Sequence, residues 1–411
     1  MERRPCFYAW FPALLVLFWG LAAPVPASEY DFAIPQAEPR ALTFGGRLTA
    51  RYIYHHLNDD TIGYRRLYAG TDPGSGTHDR QAVAELTAGW RSSWLQARVL
   101  TRHAHTRTFF QDDWDHDIYE AFLSGSPAPT VTLDAGKKPV MWGTGYAWNP
   151  AGFLNRPKDP DDPSLNLEGR TLAGIDIIQS FTDGSVNNIG VTALALPVIK
   201  DLFNTDFGED GDVNTALKLY LLWHDTDIDF IFFNGPDHPL SLGVDFAKNL
   251  AENVAVHGEL AFQKDAPVTE ITSDGTGVEA SENQVSGLIG MRYLTARDTT
   301  FIAEYYHNGA GYDDRRIFLP SSARQRNPGK DYLYFKVSQK EPREILYLTA
   351  WMSSVLNLHD HSFNLQPGLT WTPVTNLEVN CRVGIPLGPS GSEFGEKPDR
   401  LRPELWVRFY F

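Results

Sequence analysis

A histidine beside carboxylates is the pairing from which a general base or a metal site is made, and the chain offers it twice. The segment Gln111 to Asp117 (QDDWDHD) sets Asp112, Asp113, Asp115 and Asp117 around His116, and His55-His56 stands near Asp59-Asp60. Neither group comes with a nucleophile, because the chain has no G-x-S-x-G elbow. An outward acidic cluster of this kind more often binds bridging divalent cations or stays solvated. Asp206 to Asp212 mixes carboxylates with glycines but lacks the terminal Glu and the spacing of a calcium-binding EF-hand loop. No C-x-x-C-H occurs, so the chain attaches no haem of its own. Covalent chemistry, metal and cofactor are therefore not expected.

Arginine is the residue that recurs with a usable spacing, since every second residue of a strand shares one face. In the last eleven residues, Leu401 to Phe411 (LRPELWVRFYF), Leu405, Val407, Phe409 and Phe411 lie on one face. Arg402, Glu404, Arg408 and Tyr410 lie on the other. Carrying the alternation to neighbouring segments turns Arg47, Arg51, Arg91, Arg98, Arg102 and Arg382 to the same side as Arg402 and Arg408, with Glu85 and Glu404 among them. On later segments it places Asp229, Asp245, Glu259 and Glu304 inward. Opposed basic and acidic walls would orient dipolar solutes and select by charge. The same residues would equally serve as cross-strand ion pairs holding a packed interior together.

Gly136 to Gly169 (GKKPVMWGTGYAWNPAGFLNRPKDPDDPSLNLEG) is the least strand-like stretch. Pro139, Pro150, Pro157, Pro160 and Pro163 rule out regular ladder pairing, yet Trp142, Tyr146, Trp148 and Phe153 are too apolar for a solvated loop. The segment is expected to fold inward against a wall, with Lys137, Lys138, Arg156, Lys158 and Arg170 lining a constriction beside Asp159, Asp161, Asp162 and Glu168. The alternative is a long surface loop capped by aromatic packing. A P-loop is excluded by the glycine spacing.

These side chains require a scaffold of strands. Arg3 and Arg4, the apolar run Phe11 to Ala23, and Val25-Pro26-Ala27 before Ser28 form an export signal over 1–27. Cys6 belongs to the signal, and Cys381 then remains alone, so no disulfide framework forms. No later segment has the roughly 20 apolar residues of a spanning helix. The net charge of -15 argues against a nucleic-acid partner. The 17 Tyr, 24 Phe and 11 Trp suit the aromatic girdles of a membrane barrel.

Residues 28–41, with Pro35 and Pro39, read as a periplasmic arm, and 42–411 as one barrel. Alternating segments fall at 42–54, 82–92, 94–105, 116–123, 129–136, 171–181, 186–196, 213–223, 226–234, 240–248, 253–264, 283–294, 299–308, 331–339, 343–354, 361–371, 375–385 and 401–411. That makes an all-β transmembrane antiparallel barrel of about 18 strands, or about 16 if 331–339 and a neighbour are dropped. Tight connections such as Ser92-Ser93, Asp183-Gly184 and His224-Asp225 alternate with long ones at 55–81, 137–170, 197–212, 265–282, 309–330 and 386–400.

The terminal aromatic strand and the inward-loop type resemble the porin-like and alginate-export-like barrels of the Gram-negative outer membrane. That resemblance implies passive passage of small solutes or anionic oligosaccharide, no enzymatic activity, and partners limited to outer-membrane lipid, lipopolysaccharide, the barrel-insertion machinery and the solutes themselves. Guanidinium groups would favour anions. Three rivals stay open: an outer-membrane hydrolase, a sheath around a partner protein such as a cytochrome, and a blocked structural barrel.

Overall fold

The structure is a computed structural model that describes residues 41–411 apart from 163–167, 201, 272–276 and 314–326, with the backbone alone described at 269–271 and 277–279. The expected signal over 1–27 and the arm over 28–41 lie outside the described residues, save Ala41.

Eighteen strands form one sheet. They are β1 (Leu42–Leu57), β2 (Gly76–Arg91), β3 (Leu95–Arg107), β4 (Asp112–Ala128), β5 (Val131–Lys138), β6 (Arg170–Ser180), β7 (Val186–Pro197), β8 (Val213–Trp223) and β9 (Thr226–Gly235). The second half holds β10 (His238–Ala251), β11 (Val254–Ile271), β12 (Gly277–Leu294), β13 (Thr299–His307), β14 (Asp331–Lys340), β15 (Leu348–Asn357), β16 (Phe363–Val374), β17 (Leu377–Leu387) and β18 (Asp399–Tyr410). Each strand runs antiparallel to the next. β1 pairs with β2 from Leu42↔Trp90 to His56↔Gly76, and with β18 from Arg47↔Tyr410 to Leu57↔Asp399. The ring is thus closed, and no row of backbone groups is left at an edge, which is the condition for crossing a membrane with strands.

Alternation drives this arrangement. On β18, Leu401, Leu405 and Phe409 point outward and are exposed, whereas Glu404 and Trp406 point inward and are buried. Phe44, Leu48, Leu86, Val99, Ile118, Leu123 and Leu133 continue the exposed apolar face around the neighbouring strands. So much outward apolar surface is tolerable only in lipid. Phe44, Trp90, Trp94, Trp223 and Trp371 collect at the end of the barrel that carries the tight turns, as an interfacial girdle. At that end His224 and Asp225 have φ of 47° and 55°, matching a hairpin turn whose two central residues are both left-handed.

The strand at 331–339 is real: β14 pairs with β13 and with β15, so the count is eighteen and the sixteen-strand version fails. Boundaries differ from the expected ones where strands leave the bilayer. The expected connection at 265–282 is mostly ladder, with Pro267↔Ser281 through Ile271↔Gly277 paired. β2 starts at Gly76 and β4 at Asp112, so QDDWDHD belongs to a strand rather than a connection. Above the lipid both faces meet water, and the apolar half of the pattern disappears. β15 begins at Leu348 because a 3-10 turn, Pro342–Glu344, occupies the start of the expected segment. One short helix, α1 (Ile62–Leu67), sits in the first long connection with Thr61 as N-cap.

Candidate functional site

The connection after β5, described over 139–162, enters the barrel and binds two walls. Its glycines make the first attachment possible. Gly143 has a φ of 88°, and a Cβ there would lie 2.7 Å from Glu259 Oε1; a Cβ on Gly145 would lie 2.0 Å from the Trp148 carbonyl oxygen. With no side chains in the way, the amides of Thr144 and Gly145 both donate to Glu259 Oε1 at 2.7 Å, and that of Ala151 donates to Oε2 at 3.0 Å. Asn149 Nδ2 adds a fourth bond at 2.8 Å. Glu304 takes the next pair of amides, from Tyr146 and, at 2.8 Å, Ala147. His257 Nε2 lies 2.7 Å from the same carboxylate.

This changes the role expected of the acidic wall. Alternation predicts that Glu259, Glu304 and Asp245 line the pore; Glu259 and Glu304 are buried at 5% and 1% exposure beneath the loop, and Asp245 is buried at 2%. A carboxylate accepting several N–H groups is satisfied as a buried anion, and it fixes the donors in return. Asp229 faces Asp245 across the ladder and is held by Lys218 Nζ at 3.2 Å. Glu259 and Glu304 are thus spent on the loop, while Asp229 Oδ1 and Asp245 Oδ2 are buried without a hydrogen-bond partner.

Aromatic packing reinforces the attachment. Trp142, Ala151 and Leu154 bury themselves against Leu172, Leu194, Leu196, Ala216, Ile231 and Phe233 of β6 to β9. Trp148 stacks on Tyr306 at 5.0 Å and packs with Tyr332 and Tyr334. Trp142, Trp148 and Arg170, expected at the constriction, are instead buried between loop and wall. Arg170 Nη1 donates to both oxygens of Asp206 at 2.6 Å, and Arg156 Nη1 donates to the same residue at 2.9 Å. Burial alone would raise the Asp206 pKa, but the two guanidinium groups outweigh it and hold the carboxyl below its usual range. Lys137 pairs with Glu168, and Lys138 pairs with Asp134 at 2.6 Å. These contacts lock the base of the loop, and Arg156 also borders a cavity beside Trp148 and Lys158.

The second attachment is on the far wall. Asp161 accepts a bond from Asn364 Nδ2 at 2.8 Å, and its carbonyl accepts one from Arg382 Nη1 at 3.0 Å. Asp162 lies 3.6 Å from Arg382 and Asp161 lies 4.0 Å from Arg402. The loop therefore crosses the bore from β11 and β13 to β16, β17 and β18. A cavity of about 280 Å³ lies on its turn side, lined by Tyr146, Lys336, Trp351, Arg382, Trp406 and Arg408. Another of about 210 Å³ lies on its loop side, between Asp161, Asn364, Lys397 and Arg402. Of the expected constriction residues, Tyr146 and Lys158 do reach open space. Lys336 Nζ donates to the Tyr146 hydroxyl at 2.6 Å, and Lys158 Nζ to the Gly145 carbonyl at 2.6 Å.

The arginines gather as alternation predicts. Glu404 is shared by Arg51 at 2.8 Å, Arg382 at 3.0 Å and Arg402 at 3.1 Å. The Trp406 ring lies under the guanidinium carbons of Arg51, Arg382 and Arg408 at 4.5, 4.6 and 4.5 Å. Around the ring Arg47 pairs with Glu85, Arg98 with Glu120, Arg102 with Asp115 and Arg408 with Glu378. Arg91 is the exception, exposed beside the tight turn with its amide bonded to Ala41. Sequence reasoning misses Glu120, Glu378 and Trp406. The signal for Glu120 is masked by a bulge at Leu100/Thr101, which shifts the face of every residue earlier in β4. The same pleat sets His116 on the opposite face from Asp115 and Asp117, so no catalytic cluster forms there.

No protein-family model matches the sequence, and no curated protein does. Among solved structures, OccAB2 of Acinetobacter baumannii superposes with a TM-score of 0.54 at 11% identity, covering 90% of this chain and 98% of that one. OccK5 (OpdH) of Pseudomonas aeruginosa gives 0.52 at 12%, covering 90% and 98%. The outer membrane protein OprD of Pseudomonas aeruginosa gives 0.50 at 11%, covering 90% and 94%. With its closed ring of eighteen strands and almost no helix among the described residues, the chain has the fold of the Gram-negative outer-membrane porins.

Proposed function

We propose that this protein is a passive outer-membrane channel for small solutes, with a modest preference for anions such as carboxylate-bearing molecules or short anionic oligosaccharides. The observation that carries the reading is the arginine row on β17, β18, β1 and β3. These side chains point inward, yet Arg98 keeps 49% of its surface exposed, Arg402 29%, Arg47 27% and Arg51 24%. Inward and wet together mean space for water along that wall. A guanidinium has five N–H donors, so one carboxylate partner leaves donors to spare. The interleaved carboxylates cancel most of the net field, which is why the preference should be modest rather than absolute.

On this reading the functional and the structural roles of the arginine wall coincide. Cross-strand pairs hold the guanidinium planes in place, and their unused edges remain for solute. A sheath around a partner protein is disfavoured, because the chain's own loop already spans the bore. A hydrolase is disfavoured by the divided faces of QDDWDHD.

Reversal potentials in planar bilayers test the reading. Arg98→Gln with Arg102→Gln should lower the anion-to-cation permeability ratio. An unchanged ratio would reject the arginine row as the selective element, and absence of any conductance would reject the channel.

A further inference from the structure

The cavity between the inserted loop and the ends of β11, β12 and β13 offers a solute something other than arginine. It has a volume of about 350 Å³ and is lined by Asn149, Gln263, Gln284, Asn308 and Asn327, with no carboxylate among the described lining residues. Gln263, Gln284 and Asn308 lie farther toward the long connections than Glu259 and Glu304, so the cavity stands on that side of the loop. Both cations in the lining are already engaged. Arg156 is matched by two carboxylates, Asp206 and Glu168, and Lys158 Nζ donates to the Gly145 carbonyl at 2.6 Å and the Tyr146 carbonyl at 3.4 Å. The rest of the polar lining is neutral.

Gln263 and Gln284 are direct cross-strand partners on the inward face, close enough to satisfy each other. Neither does so. Gln263 Nε2 donates to Ser241 Oγ at 3.3 Å and Gln284 Nε2 to the Pro267 carbonyl at 3.5 Å, which leaves both amide oxygens without a donor among the described residues. Asn327 is the converse, because its Oδ1 accepts from Trp148 Nε1 at 3.2 Å and its amide nitrogen is left to donate. Ser286 Oγ accepts from the Gly309 amide at 2.9 Å and keeps its own hydrogen. Beside these groups the rings of Trp148 and Tyr306, stacked at 5.0 Å, supply an apolar side.

We propose that this cavity binds a neutral sugar, a mono- or disaccharide. Sugar hydroxyls both donate and accept, which suits two amide oxygens set beside an amide nitrogen and a hydroxyl, while the C–H face of the ring lies against the aromatic side. An anion would meet the two amide oxygens with no uncommitted charge to offset them. The volume falls within the roughly 300–1,000 Å³ of small-molecule pockets, at the lower end. The site needs neither the arginine row nor conduction, so loss of the anion preference would leave it standing.

Saturation-transfer NMR on the full-length barrel, in a detergent without a sugar headgroup, tests this with glucose, galactose, maltose and sucrose. At least one should bind, and excess sodium acetate should not displace it. Gln263→Leu with Gln284→Leu keeps side-chain size, removes both acceptors and should weaken that sugar about tenfold. Ser286→Ala removes one hydroxyl and should weaken it about threefold, which keeps the proposal testable if the glutamine pair fails to fold. Absence of binding by all four sugars overturns the proposal. Displacement by acetate does so too, as does wild-type affinity in either variant.

Discussion

The two halves of the lumen use one residue type for opposite ends. Across β17, β18, β1, β2 and β3 the inward carboxylates Glu404, Glu85 and Glu378 face arginines, and Arg51, Arg47 and Arg408 stay partly solvated even where the carboxylate itself is buried. Across β11 and β13 the inward carboxylates Glu259 and Glu304 face backbone amides of an inserted loop, and water is excluded. An anion paired with a partly exposed guanidinium leaves a polar surface on the arginine, whereas an anion capped by backbone N–H groups becomes a structural anchor. On the proposed function, the arginine half lines the passage and the other half anchors the loop.

The sharpest way to break this contrast is to remove the anchors. Glu259→Ala with Glu304→Ala deprives at least five loop amides and Asn149 of their acceptors, at about 1.5–3 kcal/mol for each bond to a charged group before any rehydration. The loop should leave the bore and single-channel conductance should rise several-fold; conductance at the wild-type level would mean that the loop is held elsewhere. Trp142→Ala attacks the same half through packing. Emptying that site should cost about 3–5 kcal/mol of loop stability and raise conductance less than the double anchor variant does. Were conductance to stay constant, Trp142 would not be fixing the constriction.

Changes in the arginine half should act on selectivity with little effect on conductance or stability. Arg408→Gln frees Glu378 and strips one guanidinium from Trp406, and a drop in anion preference without a change in thermal unfolding is expected. Loss of the folded barrel instead would place this pair with the anchors.

The smallest effect concerns the clasp between α1 and the connection 388–398. The amide of Ile62 donates to Glu396 Oε2 at 2.6 Å. Burial alone would raise the Glu396 pKa, but bonds from the Ile62 and Gly391 amides and the Ser390 hydroxyl together bring it below the usual carboxylate value. A folded-state pKa below the unfolded one stabilises at pH above the unfolded value, and that contribution fades as pH falls through the folded value. Hydrogen exchange at Ile62 and Gly63 should accelerate, relative to the barrel strands, as pH drops below about 4.3. Exchange that tracks only the intrinsic rate would show that Glu396 does not hold α1.

Much of the barrel is legible in the order of its residues. Each of the eighteen expected strands has its counterpart, since the lipid face imposes an apolar residue at every second position within the bilayer. Strand ends depart from expectation where that constraint lapses, as at Gly76 and at the β11–β12 hairpin. The dry half of the lumen has a signal that alternation alone overlooks. VTALALPVI at 191–199, ALKLYLLW at 216–223 and IFF at 231–233 are apolar nearly without interruption. Strands covered on both faces lose their alternation, and these are the strands on which Trp142 and Leu154 pack.

From sequence alone comes the face of each side chain, because the pleat ties face to position with a period of two, and face decides between lipid and lumen. Which partner waits inside is settled only by the tertiary structure. Glu259 and Glu404 obey the same inward rule; one meets amides of residues more than a hundred positions away, and the other meets arginines gathered across the closure of the ring. Periodicity along one strand holds no information about what a distant loop or the opposite end of the chain will bring to it.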